Sequence, residues 1–428
     1  MKLHPSPVAM VALVASTFAL GAHALAAAEP PEPKFNAVTL DDHIQIGYGL
    51  AIADVDGDGK PDILLADKKQ FVWYRNPGPE KARDPGSWKK YVLAENLTED
   101  DNVCIAAQDI DGDGKCEIAV GAAWKPADTE KSGAVFYLIP PADRTQPWTP
   151  VKVPSVEPTT HRMRWIKQAD GKWGLLVLPL HGRGNKNGEG APVKVLLYHP
   201  PKDPRGEWTS EVVAERFHMT HNFVRLSVAA GASKNTPDDV LLGGKEGLMT
   251  FRPAKSGWEG AAPVMAGESP AGGVGEVRVG SLVNGRQFIT TVEPMHGNML
   301  AVYVPQKSDS GAPALMRHVL TDKLADGHAL ACGNLLGGYP GVTASDQIAI
   351  GWRGKPGATE GPIGLAVWAP IDAKGEQWRE TVIDPDGMAC EDLQLADLDG
   401  DGKLDIIAAG RRTHNVKVYF NNVKPPKP

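Results

Sequence analysis

Three times along this 428-residue chain an aspartate-glycine loop runs straight into an apolar stretch: DVDGDGKPDILLAD from Asp54, DIDGDGKCEIAVG from Asp109 and DLDGDGKLDIIAAG from Asp397. Aspartates at alternate positions bring three carboxylates to one small volume, and the interleaved glycines allow the tight curvature that an oxygen cage for a hard cation needs. The pattern predicts calcium on Asp54, Asp56, Asp58 and Asp62, on Asp109, Asp111, Asp113 and Glu117, and on Asp397, Asp399, Asp401 and Asp405. The carbonyls of Lys60, Lys115 and Lys403 join the shell. An EF-hand would place a bidentate glutamate at loop position twelve and continue as a helix. Here Ala408 takes that slot and LDIIAAG follows, so each loop turns between two strands.

A second element recurs seven times, an alternating strand ending in Pro or Asn: FVWYRNP at Phe71, VFYLIPP at Val135, VLLYHPP at Val195, LMTFRPA at Leu248, LAVYVPQ at Leu300, LAVWAPI at Leu365 and VKVYFNN at Val416. The spacing of about 50 to 65 residues is the range in which repeats signal propellers. After most copies comes an aromatic-led strand, at Trp88, Trp148, Trp208 and Trp378, and before each comes a hairpin. Four short strands per unit make a propeller blade. The 47 glycines and 36 prolines, with no sustained 3.6-residue pattern, exclude a helical bundle.

The last unit lacks its fourth strand, but KFNAVTLDD from Lys34 resembles the outer strands. Pairing it onto the seventh unit closes the ring and leaves no open sheet edge. The expected architecture is therefore all-β: one seven-bladed propeller over residues 29–428, closed by the strand at 34–42. Its blades fall near 43–95, 96–156, 157–215, 216–268, 269–322, 323–385 and 386–422.

These loops, followed by ILLAD, IAVG and IIAAG, resemble FG-GAP/VCBS repeats, the calcium-binding blades also seen in integrin α-subunits. PTTHRMRW near His161, HMTHNFV near His221, ADGHALACGN near His328 and AAGRRTHNVKVYFN near His414 resemble the propeller domain of aldos-2-ulose dehydratases. That resemblance implies a metal-dependent lyase acting on keto-sugars such as 1,5-anhydrofructose. The cupin-like domains that carry that family's isomerising activity do not follow here, so the expectation is dehydration without isomerisation.

Strand direction separates the two ends of such a ring. The aspartate loops join the first and second strands of a blade, so the starts of first strands and the ends of second strands share the opposite mouth. The starts read Tyr48, Asn102, His161, His221, Glu276, His328 and Glu391; the ends read Lys69, Lys125, His181 with Arg183, Lys245, His296, Arg353, and Arg411 with His414. Imidazoles with a carboxylate suit a divalent transition metal such as zinc or manganese. The expected metal ligands are His161, His221 and His328, with Glu276 as fourth ligand or base. His181, His296 and Tyr48 are the candidate acid and base groups, and Arg183, Arg353, Arg411 and His414 the substrate-orienting ones, with Trp124 and Trp352 as sugar platforms. A carbon-oxygen lyase acting on a keto-sugar or related saccharide is one reading. A non-catalytic calcium-binding propeller that grips glycans or cell-surface proteins is the other.

The amino-terminal MKLHPSPVAMVALVASTFALGAHALAAAEPPEP reads as a secretory signal peptide over 1–28, which predicts an exported, periplasmic or extracellular protein. Nothing later is apolar for the ~20 residues of a membrane helix. A formal charge of -7 without a basic stripe argues against nucleic acid. Cys104 and Cys116 flank the second loop and could bridge in an oxidising compartment, or stay buried thiols with Cys332 and Cys390.

Overall fold

A computed structural model describes residues 30–154, 156–226, 236–254, 257–260, 272–307, 313–338, 345–355 and 359–424. The amino-terminal leader predicted over 1–28 lies outside them. The described chain forms seven four-stranded antiparallel sheets. Six are built from consecutive strands; in the seventh, Cys390–Ala396, Asp405–Gly410 and Asn415–Asn421 are completed by Phe35–Asp41 from the other end of the chain. Phe35 lies opposite Asn421 and Val38 opposite Val418 in that pairing. The ring is thus a seven-bladed β-propeller closed by the amino-terminal strand.

The first strand of every blade touches the first strand of the next, and that of blade seven touches that of blade one, so these seven strands encircle the channel. Apolar side chains on both faces of each sheet fill the space between neighbouring blades, as two-sided burial demands. At the seam, Leu50, Ile63 and Leu65 of blade one meet Ile407, Val418 and Phe420 of blade seven. The aromatic residues that lead the fourth strands pin their own loops: the indoles of Trp88, Trp208 and Trp378 donate to the carbonyls of Ala82, Pro204 and Gly375 at 2.8, 2.9 and 2.9 Å. Trp258 leads the short fourth strand of blade four, Trp258–Gly260, but its indole donates to Glu211 of blade three at 3.3 Å; SGWEG carries too little alternation to reveal this strand.

All four cysteines are free thiols, and Cys104, Cys116 and Cys390 are buried. Cys104 pairs in the sheet with Gly121, not with Cys116. Burial pushes the Cys104 thiol up to about 12.

Candidate functional site

The aspartate loops sit where hairpin geometry puts them, between first and second strands. In blade one, Asp54 accepts from the amides of Gly57 and Gly59 at 2.7 Å each, and both glycines have positive φ, 81° and 80°. Asp62 is held from below, accepting from Val55 and Asn76 amides at 2.9 and 2.8 Å. Blade seven repeats this with Asp405 and the amides of Leu398 and Asn421, and blade two has Glu117 accepting from Ile110. Ligand oxygens lie within 4.8 Å of one another in three sets: Asp54, Asp56 and Asp58; Asp109, Asp111 and Glu117; Asp397, Asp399 and Asp405. Asp113 and Asp401 cap the turns, accepting from the amides of Lys115 and Lys403 at 2.8 and 3.0 Å. Lys60 bonds Asp58, Arg75 reaches Asp56 at 2.6 Å and Arg83 reaches Asp399 at 2.7 Å, whereas among the described residues no basic side chain is paired with Asp109 or Asp111.

At the opposite mouth four imidazoles gather. Ring centroids separate His161 from His221 by 4.6 Å, His221 from His296 by 4.3 Å, His296 from His328 by 4.5 Å and His221 from His328 by 5.4 Å. Nitrogens of His221, His296 and His328 fall within 4.8 Å of one another, a set that could hold a metal ion.

The backbone explains how three of these side chains reach the axis. In blade three, Thr160 is opposite Pro179 and Arg162 opposite Leu178, so His161 is an extra residue, a β-bulge. The same slip isolates His221 between Thr220 and Asn222, His328 between Gly327 and Ala329, and Glu391 between Cys390 and Asp392. A bulge frees one residue from the pleat and re-aims its side chain. Strained residues stand beside several of them: positive φ occurs at Thr159, Asp326, Met295, Ala123 and His414, next to or near His161, His328, His296 and Trp124.

Hydrogen bonds then fix the tautomers. His161 Nδ1 lies 2.9 Å from the His221 carbonyl, His221 Nδ1 3.1 Å from the Gly275 carbonyl, and His328 Nδ1 2.6 Å from the Glu391 carbonyl. A carbonyl only accepts, so each Nδ1 carries the proton and each Nε2 presents a lone pair. His296 differs. Arg353 Nη2 donates to its Nδ1 at 3.2 Å, which places the proton on Nε2, facing His221 Nε2. Burial drives His161, His296 and His328 well below the usual histidine range, and lowers His221 despite Glu276 at its side. Neutral imidazoles are what a metal requires.

The remaining expected residues separate into groups. Glu276 is buried and held by Asn222 Nδ2 at 2.8 Å; burial alone would raise it, but His221 and Arg278 outweigh that and hold it down to about 2. It is a tether for His221, with no free oxygen edge for a base. Arg353 is buried between Asp326 at 2.9 Å and Glu391 at 2.7 Å. Arg411 stacks its guanidinium 5.2 Å from the Tyr48 ring, and the Tyr48 hydroxyl donates to Asp101 at 3.1 Å. Trp124 stacks on His161 with centroids 5.0 Å apart, backing that imidazole. Trp352 departs from the expected sugar platform: it packs into the apolar layer between blades five and six, because its ring covers Gly364. Arg183 departs from the expected substrate contact, being spent on the carbonyls of Glu130 and Val156 at 2.7 and 2.8 Å. His181 stays outside the imidazole cluster; its backbone amide is bonded to Thr159 Oγ1, and its own Nδ1 is buried without a partner.

Arg162, Asp326 and Asn222 escaped sequence reading. Strict alternation from His161 gives Arg162 no role, yet the bulge lets it donate to the His161 carbonyl at 3.1 Å. Beside the cluster, Tyr48, Arg353, Arg411 and His414 line a cavity of about 710 Å³.

Among the described residues no helix is long and apolar enough to cross a membrane. The profile of the aldos-2-ulose dehydratase β-propeller domain matches residues 132–306, and that of the FG-GAP-like repeat matches residues 54–120. No curated protein matches the chain. Among solved structures, BBS1N in complex with ARL6DN, soaked with lead, is 10% identical over 92% of this chain and 98% of its own, with a TM-score of 0.49. Rhamnogalacturonan lyase YesW is 14% identical over 92% of this chain and 76% of its own, with a TM-score of 0.46. The chain is thus a seven-bladed β-propeller with one segment similar to FG-GAP-like repeats and another similar to the propeller domain of aldos-2-ulose dehydratases.

Proposed function

We propose that this protein is an exported, metal-dependent carbohydrate lyase that dehydrates a keto-sugar or related saccharide at the histidine mouth, with calcium in the three aspartate loops. The observation that carries the reading is the set of buried, neutral imidazoles whose Nδ1 protons are committed to backbone carbonyls of the following blades. Such bonds from Nδ1 to a carbonyl orient a histidine and expose Nε2 for ligation. His221 and His328, which belong to the close set of nitrogens, are assigned as ligands on that ground, with His161 beside His221 as the third. A divalent transition metal bound there would act as a Lewis acid on a substrate carbonyl, making the adjacent C–H bond acidic enough to give its proton to solvent water while the β-hydroxyl takes a proton and departs as water.

His296 takes a different part. With Arg353 donating to Nδ1, its Nε2–H is directed at His221 Nε2; a metal on His221 would take that lone pair and release the N–H toward substrate, where it is suited to protonating the hydroxyl that leaves the β-carbon. Arg353, clamped by Asp326 and Glu391, keeps that tautomer in place. Trp124 holds His161 upright from behind.

The test is metal analysis of protein purified without a histidine tag, joined to a keto-sugar panel followed by conjugated-enone absorbance with and without chelator. A stoichiometric transition metal, lost in His221→Ala, and chelator-sensitive enone formation are expected. Calcium alone, with no enone from any sugar, would instead favour the glycan-binding reading.

A further inference from the structure

The net charge of the chain is negative, yet one cavity beside the histidine mouth is lined by Lys68, Arg353, Lys355, Arg411 and Arg412. Among the described residues no carboxylate lines it. Two of the five cations are neutralised from behind: Arg353 and Arg411 face Asp326 and Glu391, two charges against two. Apart from Arg412, Lys68 and Lys355 remain as an excess of two positive charges. Arg412 donates to the Glu360 and Gly361 carbonyls at 2.9 and 2.8 Å. The Lys68 and Lys355 side chains have no hydrogen bond or ion pair among the described residues. Arg411 Nε stands 3.2 Å from Glu391 Oε2 in an ion pair that fixes the guanidinium at the cavity wall. Cations crowded in one concave site repel each other unless an anion joins them.

We infer that this cavity seats the acid group of an anionic saccharide, so that the substrate class of the proposed lyase is a sugar acid and not a neutral sugar. The inference rests on the lyase reading for the word substrate, though the anion site stands on its own residues. The cavity, about 710 Å³, is within the size range of small-ligand sites. Arg353 joins it to the imidazole cluster, with Nη2 3.2 Å from His296 Nδ1, so a carboxylate held by Lys68, Lys355 and Arg411 would place the rest of a sugar ring toward His296. His414 adds a neutral partner for a hydroxyl: its Nδ1 donates to the Gln45 carbonyl at 2.9 Å, which leaves Nε2 to accept. Guanidinium and ammonium donors on a carboxylate are the strong, charge-assisted kind, and each is worth roughly a factor of ten in affinity.

The experiment compares binding of D-glucuronate and D-glucose to the full chain by calorimetry, in wild type and in Lys68→Ala/Lys355→Ala. The expected result is at least about tenfold tighter binding of glucuronate, weakened by high salt and lost in the double variant, which keeps the wild-type melting temperature. Equal affinity for the two sugars, binding of neither, or a preference unchanged in the double variant overturns the inference. Metal analysis and the enone assay on the same wild-type protein separate the two readings. Retained glucuronate preference in a wild-type protein that holds no transition metal sinks the lyase and leaves the anion site standing. Metal-dependent enone formation from neutral keto-sugars with glucuronate ignored does the reverse.

Discussion

Chelation of calcium should destabilise this propeller at pH 8 far more than at pH 5, and the size of the difference follows from three buried carboxyls. Asp62 and Asp405 are fully buried beneath their loops; burial, with the neighbouring loop aspartates, pushes each up to about 7. Burial raises Glu117 to about 7 as well. A carboxyl raised in the folded state binds its proton more tightly there than in the unfolded chain, so its contribution is fully present below about pH 4 and is lost as pH rises through 7. For Asp62 and Asp405, a displacement from 3.8 to about 7 is at most about 4 kcal/mol each in the metal-free protein. Calcium at neutral pH replaces the proton and relieves the repulsion.

If each loop binds with a dissociation constant of about 10 µM, 1 mM calcium stabilises the fold by about 2.7 kcal/mol per loop. Three loops on a chain of this length raise the melting temperature by roughly 10 °C at pH 8. At pH 5 a proton must be displaced from each carboxyl near 7, which weakens binding about a hundredfold and shrinks the gain to roughly 1 to 2 °C. Differential scanning fluorimetry with calcium or EDTA across pH 5 to 8 reads both numbers. A calcium shift of the same size at both pH values, or none at pH 8, refutes the placement of these carboxyls under metal-binding loops.

Other outcomes follow from single contacts. His221→Ala and His328→Ala should each empty the transition-metal site as read by elemental analysis, whereas His296→Ala should keep the metal and lower kcat by about 10² to 10⁴; metal loss in His296→Ala would make it a ligand instead. Arg75→Ala should tighten calcium at the first loop by about tenfold, because Arg75 lies 2.6 Å from Asp56 and competes with the ion, while the second loop, without such a cation, should be the tightest in a calcium titration of loop variants. Phe420→Ala, at the seam between blades seven and one where the side chain is fully buried, should cost about 4 kcal/mol and lower the melting temperature by roughly 5 °C.

The ring was legible because its signals are local and repeated. The third strand of every blade carries its own alternation and ends in Pro or Asn, and the strand at Phe35–Asp41 has the pattern of the outer strand it replaces. The aspartate loops were equally plain, since a cage of carboxylates in a tight glycine turn is written in consecutive residues. Lys60 and Arg75 were not foreseen as partners of the loop aspartates, because Arg75 comes from the next strand and only the hairpin register brings it to Asp56.

The histidine mouth shows where period-two reading stops. Alternation assigns one face to His161 and the other to Arg162, and likewise for His221 with Asn222 and His328 with Ala329. A bulge at each of these histidines breaks that rule at the point where the chain enters the channel. The extra residue lets the imidazole turn toward the axis while its Nδ1 reaches the following blade's carbonyl, so one irregularity supplies both the aim and the tether. In blade five, which has no such slip at its first strand, Glu276 stops short of the axis as a buried partner of His221, and it is the second-strand side that supplies His296. Deleting one residue at a bulge would therefore do more than remove a side chain. It would restore regular pairing, keep the neighbours in their present register and remove an imidazole together with its bond to the next blade, while leaving the sheet intact. Deleting His328 is the cleanest case: Ala329 would then pair in step after Gly327, the blade should keep its stability to within a few degrees, and transition-metal binding should disappear.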